Sequence, residues 1–195
     1  MKLDFNEKLI LNIGIKRYEH SLRVADTAVK LASIYGENIE KAKTAALLHD
    51  CGKFPEETSL LKSLSDFDII LDNVMLYNKE IIHGPLGSKI AEVEYDIVDK
   101  EILDAIYYHT IGKANMNLLE KIIYIADYIE PERNFPGVLE IREMAFLDLN
   151  KSILMAMENA IVFLIQNYKL IHPNTIEARN YLLIQLKSES EKEQI

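Results

Sequence analysis

Apolar positions recur along this chain at helical spacing nearly throughout, and no stretch alternates apolar and polar residues as a half-buried strand does. A short amphipathic segment at 6–13 stops at Gly14. Residues 16–35 are predicted to form a long helix, with His20, Val24, Ala28, Leu31 and Tyr35 along one broad face and Gly36 as its stop. Asn38 can cap the next helix, where Ala42, Ala45, Ala46 and His49 follow the i, i+3, i+4, i+7 pattern and Gly52 ends it. The pattern then weakens: 56–64 reads as a short helix and 66–78 as helix or irregular chain. Pro85 suits the first turn of a helix running to Glu94. Asp99 can cap a helix through His109, with Ile102, Ala105, Ile106 and His109 on its stripe. Asn117 and Glu120 have capping-box spacing ahead of a helix to Ile129. Pro131 and Pro136 mark a loop, helices follow at 150–168 and 175–186, and the polar tail 188–195 is expected to fray. With no solenoid-period repeat and no Gly-rich linker, the expected fold is all-α. It is one compact helical bundle over 1–195, with its core at 16–186.

Composition narrows the function. A chain of 195 residues, 49% hydrophobic and 27% charged, can bury one sizeable core and is globular. A net charge of −9 argues against binding a nucleic-acid polymer, which needs surplus Lys and Arg. A small phosphorylated ligand is not excluded, because a few local cations or metal ions suffice for it. Cys51 is the only cysteine, so no intrachain disulfide forms, which fits a reducing, cytoplasmic setting. The first residues lack the apolar core of a signal peptide, and no run approaches the ~20 apolar residues of a membrane span. Neither export nor membrane association is expected.

The candidate chemistry lies in the histidines. His49-Asp50 closes an apolar helix, and buried charge needs a partner or a metal. His20, His49, His83 and His109 are separated by 29, 34 and 26 residues, each about one helical hairpin, so a bundle can bring all four together. Asp50 and Asp127 add oxygen donors. Mixed imidazole and carboxylate ligands suit Fe, Mn, Zn or Co better than Mg. Six such ligands exceed the needs of one ion with an open position, and fit two ions sharing Asp50. A two-metal site of this kind hydrolyses phosphate bonds. Any one of these residues alone could be a paired core or helix-end side chain; the joint pattern is what is specific. The fifth histidine, His172, precedes Pro173 and reads as structural or surface, and Cys51 as a small buried residue.

Around this set, Lys53 can reach a phosphate oxygen or remain solvated. Arg17 and Arg133 can each bind phosphate bidentately, whereas Arg23 and Arg142 read as surface or salt-bridge residues. Thr110 and Gly112 either contact phosphate or simply end a helix. Tyr107, Tyr108, Tyr124 and Tyr128 at helical spacing are taken as core.

His20, His49-Asp50 and Asp127 resemble the H…HD…D pattern of the HD-domain metal-dependent phosphohydrolase superfamily. Further segments resemble the bacterial YqeK-like family: RYEHS at 17–21, ALLHDCGK at 46–53, HGP at 83–85, YHTIG at 108–112, ADYIEPER at 126–133 and NFPGV at 134–138. The resemblance runs from about Lys16 to Asn180. It implies a helical HD fold and symmetrical cleavage of diadenosine tetraphosphate to two ADP at a di-iron centre, with Mn, Co or Zn as alternative metals. Carried over by position, His20, His49, Asp50 and Asp127 would hold one ion, and Asp50, His83 and His109 the other. Asp50, Lys53 and Arg133 would serve catalysis, with Arg17, Lys53, Thr110, Gly112 and Arg133 as substrate contacts. The implied ligands are dinucleoside polyphosphates, with ADP and GDP as product-like binders, and a homodimer is compatible with the pattern. Another HD-type nucleotide phosphatase or phosphodiesterase, or a nucleotide-sensing metal protein without turnover, are the alternative readings.

Overall fold

The computed structural model describes residues 4–53, 64, 66–67 and 69–192. Those residues are mostly helical and contain no strand. Helix α1 (Phe5–Ile13) opens on an Asp4–Glu7 capping box, and Gly14 separates it from α2 (Ile15–Tyr35). Val24, Ala28 and Leu31 of the expected face are fully buried, and the Tyr35 hydroxyl donates to Ala145 O at 2.9 Å. Helix α3 (Ile39–Leu48) is capped by Asn38, whose side chain accepts from Lys41 N.

The expected helix at 56–64 lies almost wholly outside the described residues. Within 66–78, helix α4 (Asn73–Tyr77) forms behind an Asp72 cap that accepts from Val74 N and Met75 N. A 3-10 turn (Lys79–Ile81) leads into α5 (His83–Glu94). Helix α6 (Lys100–Tyr108) is capped by Asp99, and α7 (Leu118–Ile129) by the Asn117–Glu120 box.

Helix α8 (Val138–Ala145) lies where the sequence reading saw only a loop after Pro136. Its buried Val138, Ile141 and Ala145 keep helical spacing over just two turns, too short a run to stand out by periodicity. Helix α9 (Leu149–Gln166) follows an Asp148 cap, and α10 (Pro173–Lys192) runs past residue 186, where no Gly or Pro stops it.

The core lies where α2, α3, α6 and α7 pack on one another, with α7 buried along most of its length. Helix α5 joins through α6. Two glycines allow this close approach. A Cβ on Gly52 would overlap His83 O, and one on Gly84 would stand 2.5 Å from Tyr107 O. The turn after α3, the start of α5 and the end of α6 therefore meet at backbone contact, and each carries a histidine.

Candidate metal centre

His20 projects from the second turn of α2, His49 caps the C-terminus of α3, His83 begins α5 and His109 caps the C-terminus of α6. Helix C-termini carry partial negative charge, so two of the four imidazoles stand where a cation is favoured. Three rings are held alike. Nδ1 of His49 meets Ala46 O at 2.6 Å, Nδ1 of His83 meets Glu80 O at 2.5 Å, and Nδ1 of His109 meets Ile106 O at 2.7 Å. A carbonyl only accepts, so each Nδ1 carries the proton and each Nε2 presents a lone pair. His83 Nε2 and His109 Nε2 then lie 2.9 Å apart, lone pair against lone pair. Such a contact requires a proton or a cation between them.

Asp50 lies at the middle of the cluster, fully buried. Its Oδ2 faces His49 Nε2 at 3.6 Å and His20 Nε2 at 3.9 Å. Its Oδ1 faces His83 Nε2 at 3.3 Å and His109 Nε2 at 3.7 Å. Asp127 Oδ1 lies 3.0 Å from His20 Nε2 and 3.9 Å from His49 Nε2. Donors 3–4 Å apart leave room for an ion about 2.0–2.2 Å from each. Among the described residues no hydrogen bond reaches the buried His49 Nε2, and the buried Asp50 Oδ1 has the Lys53 ammonium 2.9 Å away as an ion pair. Three donor groups could hold a metal: His20, His49 and Asp50; His49, His109 and Asp127; and Asp50, His83 and His109. The orphaned His49 Nε2, the facing lone pairs of His83 and His109 and the donor chemistry fit a divalent ion.

The electrostatics favour metal-ready protonation states. Burial pushes the His49 imidazole down to about 4, against the pull of Asp50 and Asp127, and burial likewise holds His83 well below its ordinary value. Burial alone would raise Asp50, but His49, His109, Lys53 and His83 hold it well below the usual carboxylate range. Asp127 is also held low, because its hydrogen bond with His20 and the charges of His49 and Arg133 overcome burial. At neutral pH His49 and His83 are therefore neutral and Asp50 and Asp127 ionised, the forms that bind metal.

The sequence reading did not assign Glu130 a role. It is 3% exposed, and its Oε1 lies 3.3 Å from His20 Nδ1. Its other oxygen accepts from Arg23 Nε at 2.8 Å and Glu132 N at 3.0 Å. The signal was available: an acid at the C-terminal end of an apolar helix opposes the helix dipole and needs a partner. Arg23 is a salt-bridge residue, as expected, joining Glu130 and Glu132. Arg142 is not a surface residue. It donates to the carbonyls of Ile129, Glu130 and Arg133 and so fixes the turn that carries Glu130.

Three cations ring the cluster. Arg17 Nη1 donates to Asp50 Oδ2 at 2.7 Å, Lys53 Nζ to the same oxygen at 3.1 Å, and Arg133 Nη2 to Asp127 Oδ1 at 2.5 Å. All three line a cavity of about 1440 Å³ that also reaches His20, His83, Thr110 and Asp127. The Thr110 hydroxyl is buried and has no hydrogen-bond partner among the described residues. Gly112 is not among the cavity-lining residues: at φ 66 it packs behind His109, where a Cβ would stand 2.9 Å from Met157 Cε. Its glycine character follows from that packing.

Tyr124 lies in the core while reaching the cavity, and Tyr107, Tyr108 and Tyr128 pack against the core from outside. Cys51 is buried behind Asp50, with its thiol on Gly87 O. His172 stands apart from the cluster. Its Nδ1 accepts from Asn174 N, and its Nε2 donates to Asp72 Oδ2 at 2.6 Å, the reverse of the tautomer in the cluster. No described helix is long and apolar enough to cross a membrane.

The HD domain model matches residues 17–132, which include His20, His49-Asp50 and Asp127. The domain implies use of a divalent metal. The symmetrical bis(5'-nucleosyl)-tetraphosphatase of Halalkalibacterium halodurans is 40% identical over 171 residues, 88% of this chain and 91% of the relative. Its counterpart in Staphylococcus aureus is 44% identical over 168 residues, 85% of this chain and 86% of the relative. A crystal structure from Clostridium acetobutylicum, described as a predicted HD superfamily hydrolase involved in NAD metabolism, superposes with a TM-score of 0.87 at 47% identity. That match covers 92% of this chain and 95% of the other. Sequence and fold agree over nearly the full length, and this chain belongs to the HD-domain hydrolases and, within them, to the family of symmetrical bis(5'-nucleosyl)-tetraphosphatases.

Proposed function

We propose that this protein hydrolyses diadenosine tetraphosphate symmetrically to two ADP, using two metal ions that share Asp50. The observation that carries the reading is the position of Asp50, one oxygen facing His20 and His49, the other facing His83 and His109. The activity in the names of its relatives supports the substrate. His20, His49, Asp50 and Asp127 would hold one ion and Asp50, His83 and His109 the other. Iron is the metal that the family resemblance implies, and the imidazole and carboxylate donors suit Mn, Co or Zn as well. When bound, the ions supply Lewis acidity: they lower the pKa of water and neutralise charge on the attacked phosphate.

The chain's own groups do the rest. Water adds to one inner phosphorus as its bond to the bridging oxygen of the other inner phosphate breaks, and each half leaves with two phosphates. Arg17, Lys53 and Arg133 expose between 31% and 40% of their side chains beside the carboxylates. In the complex they turn onto phosphate oxygens and hold the tetraphosphate along the cluster, with Arg133 and Lys53 offsetting charge that builds during cleavage. Thr110 donates its unpaired hydroxyl to the same phosphates. Gly112 supports this contact from behind rather than touching substrate. Asp50, ionised at neutral pH, keeps the two histidine pairs in register. The chain works as a cytoplasmic bacterial enzyme, with ADP and GDP as product-like inhibitors.

The test is product analysis. Metal-loaded protein is incubated with diadenosine tetraphosphate, AMP and a cyclic nucleotide in separate reactions. ADP as the sole nucleotide product, from the first substrate alone, supports the reading. AMP plus ATP, or release of phosphate from AMP, overturns it.

A further inference from the structure

The cavity extends beyond the cationic residues. Another part of its wall is apolar: Ile13 and Ile15 where α1 meets α2, Ala160, Phe163 and Leu164 on α9, and Leu170 just after it. Three of these are about half bare, with Ile15 54%, Phe163 52% and Leu170 49% exposed. Apolar surface left wet on a cavity wall gains from being covered. Inorganic phosphates cannot cover it, whereas a purine face can. Phe163 supplies a ring, with Lys169 Nζ 5.7 Å from its centroid. Two polar side chains that border this wall, His172 just before α10 and Thr175 within it, are already engaged. Thr175 donates its hydroxyl to Ile111 O, and His172 has one nitrogen on Asn174 N and the other on Asp72.

We propose that this wall is a purine subsite in which Phe163 stacks on one base of the dinucleoside polyphosphate while the phosphates run to the cationic end. The inference rests on the substrate reading above. One cavity of about 1440 Å³ holds both ends, which is larger than the several hundred cubic ångströms typical of a drug-sized ligand. A base held by its face, with no free edge partner from His172 or Thr175, is accepted whether it is adenine or guanine. Diguanosine and diadenosine tetraphosphates are therefore expected to share a KM within about threefold.

The chain contains no Trp, so Phe163→Trp introduces a sole indole at the subsite. In the metal-loaded variant, ADP is expected to quench its fluorescence saturably, while inorganic pyrophosphate leaves it unchanged. Equal responses to both, or no response to ADP, overturn the subsite. Phe163→Ala is expected to raise KM for diadenosine tetraphosphate about tenfold, with kcat within about twofold of wild type and metal content unchanged. An unchanged KM overturns the proposal. If the wild-type protein cleaves no diadenosine tetraphosphate, the substrate reading fails by itself, and the comparison of ADP with pyrophosphate still decides the subsite.

Discussion

Replacing His49 with glutamine isolates the electrostatic cost of the metal-free site. His49 takes up a proton near pH 6.5 in the unfolded chain, but burial delays that step to about pH 4 in the folded one. Between those values the unfolded chain binds more protons, so stability rises with pH across the window and is lost as pH falls. The gap corresponds to about 3 kcal/mol, a large part of the 5–15 kcal/mol by which a typical domain is stable. His83 is shifted in the same direction by burial. Asp50 and Asp127, held below the usual carboxylate range, add their own losses only below about pH 4, outside this window. The assay is urea unfolding of chelator-treated protein at several values between about pH 7.5 and 4.5. Wild type is expected to lose about 2–3 kcal/mol more than His49→Gln across that range, which stops short of the folded value, since glutamine does not titrate and the other groups are common to both. Parallel stability curves for the two proteins would refute the reasoning, because His49 would then titrate alike folded and unfolded.

Three further substitutions probe the site. Asp50→Ala removes the carboxylate between the two histidine pairs, so hydrolysis is expected to disappear and bound metal to fall; full activity in a metal-replete variant would contradict the shared-ligand reading. Arg133→Ala is expected to weaken KM or kcat for diadenosine tetraphosphate while metal content stays at the wild-type level, and unchanged kinetics would return the residue to a structural role on Asp127. Glu130→Gln keeps the side chain's shape but withdraws the charge facing His20 Nδ1 and Arg23, and metal affinity by competitive chelation is expected to drop about tenfold. Equal affinities would show that Glu130 serves Arg23 alone.

Much of the fold was legible because caps and periodicity agreed. Asn38, Asp99 and Asn117 each preceded a clear apolar stripe, and each caps a helix in the structure. The site was legible for a related reason: His49 and His109 continue the buried stripes of their helices, so burial and ligand chemistry coincide on the same positions. What sequence did not show was set by tertiary contact. The eight residues of α8 declare themselves only when Val138, Ile141 and Ala145 meet the core. Glu130 and Arg142 owe their roles to a turn whose geometry puts a carboxylate on His20 and three carbonyls on one guanidinium. The sequence leaves Gly112 as either a phosphate contact or a helix end; its φ of 66, its N–H on Tyr108 O and the 2.9 Å that an added Cβ would have to Met157 Cε fit a helix end packed against Met157.

One carboxylate, Asp50, is proposed to organise two ions for symmetrical cleavage. Metal-free protein titrated anaerobically with ferrous iron, with ADP release from diadenosine tetraphosphate followed at each addition, tests it most directly. Activity that rises to its plateau only as the second equivalent per chain binds is the predicted result. Full activity after one equivalent, with no further gain from the second, would contradict it.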